Sequence, residues 1–393
     1  MIKCIFKISF VFLILTSCKK DFGGQVNPLV ESFKMPKDES KNIIFKHNDV
    51  LHLIGYKDAR YSEPFDPYNV YSFDIEKGSF KSIEKRIIPD LEDWRENENK
   101  IMLAASCNNE VYVLTESKEL FKLKSDFSYN EQDLVNRFNN AVSFFSFNNL
   151  IFISQTDGKL IVYDPITGLT SETALEGNPI SQIIKKDNFF YFASGKSIYK
   201  SVDCKSWDIH FTINSNSYDQ LLNINFHNGS FICASKSGEK IYTLKLDFFT
   251  GGNIVTFTDP FDFSKTSSYS DSNDDYNYDY DYNSYTAMGL TGYSYIIGNY
   301  YFSFVDEFGD SYSSDYVKKT RPTFPLVSEN ISTTKTKIAD GSVFNSELRY
   351  SKYNNLNVIQ IENYLFYLDN LYEESETSYT NRSRLKKVTI PNN

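Results

Sequence analysis

Two stretches of the sequence decide the fold, NNEVYVL at residues 108–114 and NNLIFIS at residues 148–154. An Asn-Asn pair tolerates the positive φ angles that a tight two-residue hairpin turn requires. The valine, isoleucine, tyrosine and phenylalanine residues that follow favour extended strands. Because these runs are almost continuously apolar, each predicts a strand that is covered on both faces of its sheet.

The same turn-and-strand pattern recurs along the chain. The first turn residue falls at positions 48, 108, 148, 187, 228, 298 and 362, which gives spacings of 60, 40, 39, 41, 70 and 64 residues. Short strands repeated with a period of roughly 40 residues are typical of a β-propeller, in which each blade is a small sheet packed between its neighbours. We therefore expect an all-β propeller of seven blades, with six or eight blades as alternatives. Residues 29–33 are a candidate for an outer strand that closes the ring with the last blade.

Composition excludes several classes of protein. Aromatic residues make up 16% of the 393 residues, which is too many for a wholly disordered chain. The 17 glycines are far too few for a collagen helix. The formal net charge of −10 argues against nucleic acid as the main partner, because binding to phosphates requires a basic patch.

The N-terminus has the pattern of an export signal. Residues 1–17, MIKCIFKISFVFLILTS, combine two lysines with an apolar run that is too short to span a bilayer. The sequence Leu-Thr-Ser-Cys at 15–18 resembles the bacterial lipobox, in which the cysteine is lipidated and becomes the first residue of the mature chain. The alternative is an ordinary secretory signal with a chance cysteine.

The lipobox resemblance implies a location and a division of the chain. Two or three acyl chains on Cys18 would anchor the protein stably to a membrane. No aspartate directly follows Cys18, so the resemblance implies the outer membrane or the cell surface. We expect a signal peptide at 1–17, a lipidated tether at 18–40 and the propeller at 41–391.

The cysteines indicate neither a disulfide framework nor a metal site. Cys4 would leave with the signal peptide and Cys18 would carry the lipid, which leaves Cys107, Cys204 and Cys233 scattered over the chain. At most one disulfide can form among three cysteines, and no Cys-x-x-Cys spacing suggests a metal ligand set.

One blade carries a more specific resemblance. The stretch YKSVDCKSW at 199–207 resembles the Asp-box repeat of sialidase-type propellers, Ser-x-Asp followed by Ser or Thr and then Trp. It occurs once and lacks the usual glycine. In that family the box is structural, which implies that Ser201 and Asp203 hold a turn and that Trp207 packs between strands.

Residues 264–286, SKTSSYSDSNDDYNYDYDYNSYT, form a low-complexity insert. Such a stretch buries little apolar surface, so we expect a loop on one face of the propeller. Tyrosine offers large contact area at a low entropy cost. The residues that we nominate as ligand contacts on this ground are Tyr276, Tyr278, Tyr280 and Tyr282.

The same insert places acidic side chains at alternate positions, as calcium loops do. Asp279 and Asp281 are the calcium candidates, but neither the turn glycine nor the closing glutamate of an EF-hand is present. We therefore favour a solvated loop and no cofactor, with calcium as the alternative.

No catalytic pattern emerges from the sequence. His47 and His227 occupy the same repeat position before a hairpin turn, so both are assigned a structural role. No Ser-His-Asp order is present. The Phe/Tyr-Arg-Ile-Pro motif of sialidases is approached only by RIIP at 86–89, which has one residue too many. A glycosidase needs two carboxylates at a defined separation, and the sequence selects no such pair.

The expectation from sequence is a non-catalytic binding propeller of the bacterial cell envelope, anchored through Cys18. Its ligand is expected to be a glycan or another protein, and the chain to be a monomer or a subunit of an envelope complex. The alternative is a surface glycan-processing hydrolase of the sialidase-like propeller class.

Overall fold

The chain is described by a computed structural model. The residues described are 29–36, 39–57, 67–87, 101–177, 180, 182–213, 220–237, 240–256, 261–262, 290–297, 300–307, 325–328, 358–375 and 378–389. Within these ranges every regular element is a β-strand except one short 3₁₀ helix, Glu131–Asp133. No helix long and apolar enough to cross a membrane occurs in the described ranges.

The first four sheets follow one another along the chain as simple antiparallel meanders. Sheet 1 contains β2 (Glu39–His47), β3 (Val50–Lys57), β4 (Pro67–Asp74) and β5 (Ser79–Ile87). Sheet 2 contains β6 (Ile101–Cys107), β7 (Glu110–Thr115), β8 (Glu119–Lys122) and β9 (Leu134–Arg137). Sheet 3 contains β10 (Ala141–Phe147), β11 (Leu150–Gln155), β12 (Lys159–Tyr163) and β13 (Thr170–Ala174). Sheet 4 contains β14 (Ile184–Lys186), β15 (Phe189–Ser194), β16 (Ser197–Ser201) and β17 (Asp208–Thr212).

The later sheets are less regular. Sheet 5 contains β18 (Gln220–Leu221), β19 (Asn225–His227), β20 (Ser230–Ser237), β21 (Lys240–Asp247), β22 (Asn253–Thr256) and β23 (Phe261–Asp262). Sheet 6 contains β24 (Leu290–Ile297), β25 (Tyr300–Glu307) and β26 (Pro325–Ser328). Sheet 7 contains β27 (Ile359–Ile361), β28 (Tyr364–Ser375), β29 (Ser378–Thr389) and, from the other end of the chain, β1 (Leu29–Lys34).

β1 joins the beginning of the described chain to its end. It pairs antiparallel with β29, Leu29 lying opposite Thr389 and Lys34 opposite Arg384. This pairing agrees with the expectation that residues 29–33 supply an outer strand to the last blade. It also means that strands begin at Leu29, inside the range 18–40 that was assigned to the tether.

The apolar core lies between neighbouring sheets. Phe45 of sheet 1 packs with Val113 of sheet 2 in one cluster of buried side chains. Three further clusters join sheets 2 and 3, sheets 3 and 4, and sheets 4 and 5. Ile44 of sheet 1 packs with Phe366 of sheet 7. Because each sheet is covered on both sides, its second strand is apolar throughout, as the sequence predicted.

Two contacts complete the ring on the other side. Ile296 of sheet 6 packs against Ile232 of sheet 5. The hydroxyl of Tyr295 in sheet 6 donates a hydrogen bond to the carbonyl of Val358, next to β27 of sheet 7 (2.8 Å). Each sheet therefore contacts the next around a closed circle, and the prediction of an all-β propeller is confirmed. The described residues form seven sheets, while the total of seven blades stays a prediction.

The order of strands gives the ring two different faces. The first strands β2, β6 and β10 contact one another and so lie towards the centre, whereas the fourth strands β13 and β17 are largely exposed. Since successive strands alternate in direction, the first-to-second and third-to-fourth turns share one face, here called the turn face. The second-to-third turns and the connections between sheets share the opposite face, here called the loop face.

Candidate functional site

The first-to-second turns of the turn face have the left-handed backbone that the Asn-rich sequence predicts. In sheet 2 the φ angles of Asn108 and Asn109 are 52° and 61°, and in sheet 3 those of Asn148 and Asn149 are 49° and 63°. Asparagine tolerates this region better than other residues that carry a Cβ atom. The turn residues with positive φ in the other sheets are Asn48, Asp49, Asp187, Asn228, Gly229 and Glu362.

His47 and His227 have matching surroundings, as their repeat position predicted. The side-chain amide of the following asparagine donates to Nε2 in each case, Asn48 to His47 at 3.0 Å and Asn228 to His227 at 2.9 Å. Nδ1 of His47 also lies 2.9 Å from Oγ of Ser106 in sheet 2. Burial lowers the pKa of both imidazoles below the ordinary value of 6.5. These contacts fit a role in holding the turns.

Three of the third-to-fourth turns share a second motif that the sequence analysis did not identify. They read DIEKG at 74–78, DPITG at 164–168 and DFFTG at 247–251. In each turn the aspartate carboxylate accepts backbone N–H groups from inside the turn. The glycine, whose φ is positive, donates its N–H to the aspartate carbonyl. An aspartate followed by glycine four residues later, once per blade, is the sequence signal that marks these turns.

The third-to-fourth turn of sheet 4 contains the residues of the Asp-box resemblance. Oδ1 of Asp203 accepts the backbone N–H groups of Lys205 and Ser206 at 2.8 and 2.9 Å. Oγ of Ser201 accepts the N–H of Cys204 at 2.9 Å. Trp207 donates Nε1–H to the carbonyl of Cys204, and its ring centroid lies 4.6 Å from that of Phe192. The three residues thus make the kind of contacts that the resemblance implied, while the relationship to sialidase-type repeats stays a prediction.

Polar contacts link these turns from one sheet to the next. Nζ of Lys205 in sheet 4 lies 2.8 Å from Oδ2 of Asp164 in sheet 3, and this lysine lowers the pKa of Asp164 to about 2. Oγ of Ser171 donates to the carbonyl of Lys205 at 3.1 Å. His210 of sheet 4 donates Nε2–H to the carbonyl of Phe248 in sheet 5 at 3.0 Å. The turns of sheets 3, 4 and 5 are therefore joined at their bases.

Apolar side chains project from the tips of the same three turns. Ile166 and Leu169 in sheet 3 are 79% and 69% exposed, Val202 in sheet 4 is 68% exposed, and Phe249 in sheet 5 is 80% exposed. These four residues are here called the apolar row. Single exposed apolar residues are ordinary, but four on the corresponding turns of consecutive sheets form a surface feature.

The loop face differs from the turn face in the length of its connections. The strands joined by residues 58–66, 88–100, 263–289 and 308–324 all end and resume at the loop face. On the turn face, by contrast, the first-to-second turns of sheets 1 to 4 have two residues each. A rigid scaffold with long connections at one end is the arrangement in which loops carry binding residues.

Several residues singled out by the sequence lie outside the described residues. They are Cys18, the tyrosines Tyr276, Tyr278, Tyr280 and Tyr282, and the calcium candidates Asp279 and Asp281. The backbone nevertheless locates the insert at 264–286, because Asp262 pairs with Lys240 and Leu290 pairs with Glu307, both at the loop face.

The remaining cysteines are buried free thiols. Burial raises the pKa of Cys107 to about 11 and that of Cys204 to about 12, and it also raises the pKa of Cys233. Thiols with raised pKa values are poor nucleophiles, since the thiolate is the reactive form. Across the described part of the chain, no group of three or more His, Cys, Asp or Glu side chains is arranged to hold a metal ion.

The ring of antiparallel sheets, with its first strand paired to its last, defines the chain as a β-propeller. No family model matches the chain, and no curated protein matches it. Three solved structures illustrate its fold. The N-terminal domain of Nup159 aligns with 93% of this chain and 97% of its own at 10% identity and a TM-score of 0.48. The WD40 β-propeller domain of Doa1 aligns with 93% and 97% at 11% identity and a TM-score of 0.47. BamB from Moraxella catarrhalis aligns with 91% and 97% at 13% identity and a TM-score of 0.43.

Proposed function

We propose that this chain is a membrane-anchored interaction protein of the bacterial cell envelope. Its propeller body presents a non-catalytic binding surface on the loop face, and lipidated Cys18 attaches it to the outer membrane or cell surface. The ligand is a glycan or another protein.

The observation that carries the proposal is the difference between the two faces. The turn face is built from short turns whose backbone groups are bonded within the turn or to the next sheet. The loop face has strand ends from which long segments leave and to which they return. Binding residues concentrate on such segments because a rigid scaffold fixes their ends while their sequence varies.

The segment 263–289 supplies the most specific contact candidates. It joins Asp262 of sheet 5 to Leu290 of sheet 6 and contains Tyr276, Tyr278, Tyr280 and Tyr282. An aromatic ring stacks on the apolar face of a sugar or packs into a protein surface, and the tyrosine hydroxyl adds a hydrogen bond. Either ligand class therefore fits the same residues.

Ligand binding is tested with the full lipidated chain in detergent micelles on a broad glycan array, with calcium and with a chelator. The test variant replaces all four tyrosines by serine. The matched control replaces Ile166 and Phe249 by serine on the opposite face. Saturable binding to intact glycan, lost in the tyrosine variant and kept in the control, supports the proposal.

Other outcomes of the array are equally decisive. Trimmed glycan overturns the non-catalytic function in favour of the hydrolase alternative. Binding that needs calcium and is lost on Asp279→Asn with Asp281→Asn assigns a metal to the insert. If no glycan is bound or altered, the glycan ligand is excluded, and cross-linking from the tyrosine segment on intact cells identifies a protein ligand.

The anchor is tested separately by metabolic labelling with an alkyne-bearing fatty acid. Cys18→Ser should abolish label incorporation, because the lipid is attached through this sulfur. Cys4→Ser is the matched control and should keep the label, since Cys4 is expected to leave with the signal peptide. Label retained by Cys18→Ser would refute the anchor.

A further inference from the structure

Two features of the turn face are not explained by ligand binding on the loop face. One is the apolar row formed by Ile166, Leu169, Val202 and Phe249. The other is the point at which the N-terminal segment reaches the propeller.

The register of sheet 7 locates that point. Tyr364 follows the first-to-second turn at Glu362 and pairs with Thr389, which in turn pairs with Leu29. Leu29 therefore lies at the turn face. From there β1 runs to the loop face, where the chain continues into β2. The chain that precedes β1 thus meets the ring on the same face as the apolar row.

The length of that preceding segment limits how far the anchor can lie from the turn face. Eleven residue steps separate Cys18 from Leu29, and a fully extended chain of this length spans at most about 40 Å. A bilayer holding the lipid of Cys18 is consequently confined to the neighbourhood of the turn face.

The apolar row is placed to make a second attachment. It lies on sheets 3, 4 and 5, whereas the N-terminal segment arrives at sheet 7, and these sheets are separated around the ring by sheets 1 and 2 on one side and sheet 6 on the other. Two attachments on separate parts of one face would orient a disc parallel to a surface, whereas a tether alone would leave it free to tumble.

The bases of the row turns keep its members in place. The Lys205–Asp164 ion pair joins the turn of sheet 3 to that of sheet 4, and the His210–Phe248 hydrogen bond joins sheet 4 to sheet 5. Insertion into a bilayer would therefore require little additional ordering of the backbone, so most of the gain from removing apolar surface from water would be retained.

We propose that the turn face of the propeller lies on the lipid bilayer, with Ile166, Leu169, Val202 and Phe249 inserted at the membrane interface and the loop face directed away from it. This inference rests on the proposed lipid anchor. The contact is apolar rather than electrostatic, because the chain as a whole carries a net charge of −10. Uncharged phosphatidylcholine is accordingly sufficient as the surface.

The test uses the full lipidated chain reconstituted in phosphatidylcholine vesicles and single spin labels attached through introduced cysteines. Labels are placed by Ile166→Cys, Val202→Cys and Phe249→Cys. Asp157→Cys is the matched control, because Asp157 is exposed on the second-to-third turn of sheet 3 at the loop face. All of these positions are at exposed turn tips, so the substitutions should leave folding unchanged.

The measured quantity is the accessibility of each label to oxygen relative to a water-soluble nickel complex. We expect this ratio to rise on vesicle binding for the three labels of the apolar row and to stay unchanged for the label at 157. If the protein floats with the vesicles while all four labels remain aqueous, the inference is overturned and the anchor stands. Dipolar broadening among copies would assign the row to a second copy instead, and broadening only on addition of envelope proteins would assign it to a protein partner.

A different result separates the inference from the proposal on which it rests. If Cys18→Ser floats with vesicles as well as the unchanged chain does, the anchor proposal fails irrespective of the labels. If neither form floats, both proposals fail together.

Discussion

Replacement of Asp164 by asparagine isolates the ion pair that joins the turns of sheets 3 and 4. Oδ1 of Asp164 accepts the backbone N–H groups of Ile166 and Thr167 at 2.9 and 3.3 Å, and Oδ2 lies 2.8 Å from Nζ of Lys205. The side chain of Asp164 is 12% exposed and that of Lys205 is 44% exposed. Asparagine keeps the shape and an acceptor oxygen but removes the charge, so the substitution tests mainly the interaction with Lys205.

The magnitude follows from the pKa of Asp164. Lys205 is the largest cause that lowers this pKa from 3.8 to about 2. Each pKa unit corresponds to about 1.4 kcal/mol of differential interaction, which gives an upper limit of about 2.5 kcal/mol. Because Lys205 is partly exposed and solvent screens the pair, we expect Asp164→Asn to lower the free energy of unfolding at pH 7 by about 1 to 1.5 kcal/mol.

The pH dependence of the loss has a defined sign. The pKa of Asp164 is lower in the folded than in the unfolded chain, so the carboxylate stabilises the fold above pH 3.8 and this contribution is lost as the pH falls towards 2. The difference in unfolding free energy between the unchanged chain and Asp164→Asn should therefore shrink over that interval.

The assay is urea unfolding of the full chain, with Asp247→Asn as the matched control. Asp247 makes the corresponding backbone bonds, to Phe249 and Thr250, within sheet 5. Asp164→Asn should cost clearly more than Asp247→Asn, and Lys205→Met should remove most of that excess in a double-mutant cycle. Equal losses in the two variants, or a loss in Asp164→Asn below about 0.3 kcal/mol, would show that the pair does not stabilise this face.

Three further predictions concern the histidines, a hairpin turn and the buried thiols. Burial lowers the pKa of His52, as it does for His47, so protonation should favour the unfolded chain as the pH falls below 6.5; urea titrations should show lower stability at pH 5 than at pH 7.5, and a smaller difference in His52→Gln. Asn149 has a φ of 63°, so Asn149→Val should cost about 1 to 2 kcal/mol while Asn149→Gly costs much less, and equal melting temperatures would contradict this assignment. Cys107, Cys204 and Cys233 should resist a thiol reagent in the folded protein and react fully in urea; fast labelling of the native chain would show that they are accessible.

The sequence predicted the repeat because the turn chemistry is local. Asn108-Asn109 and Asn148-Asn149 adopt positive φ whatever surrounds them, and the apolar runs after them become second strands covered on both sides. The pairing of β1 with β29 was also within reach, since Leu29 begins an apolar stretch before the first repeat.

Other features depended on distant parts of the chain. The first strand of sheet 5 is interrupted between β18 and β19, where the Asn223 side chain accepts the N–H of Ala234 from β20. Nothing in the local sequence marks this interruption, because it is stabilised by the neighbouring strand. The role of Ile166 and Phe249 was likewise hidden, since an apolar residue in a turn is known to be exposed only after the strands on either side are placed.

The two-faced propeller is tested most directly by electron cryomicroscopy of the full lipidated chain in phosphatidylcholine nanodiscs. The account predicts a ring lying parallel to the bilayer, with the Asn-rich turns and the apolar row in contact with the lipid and the strand ends bounding 263–289 directed away. A ring standing on its edge, or one that presents its loop face to the bilayer, would contradict the account.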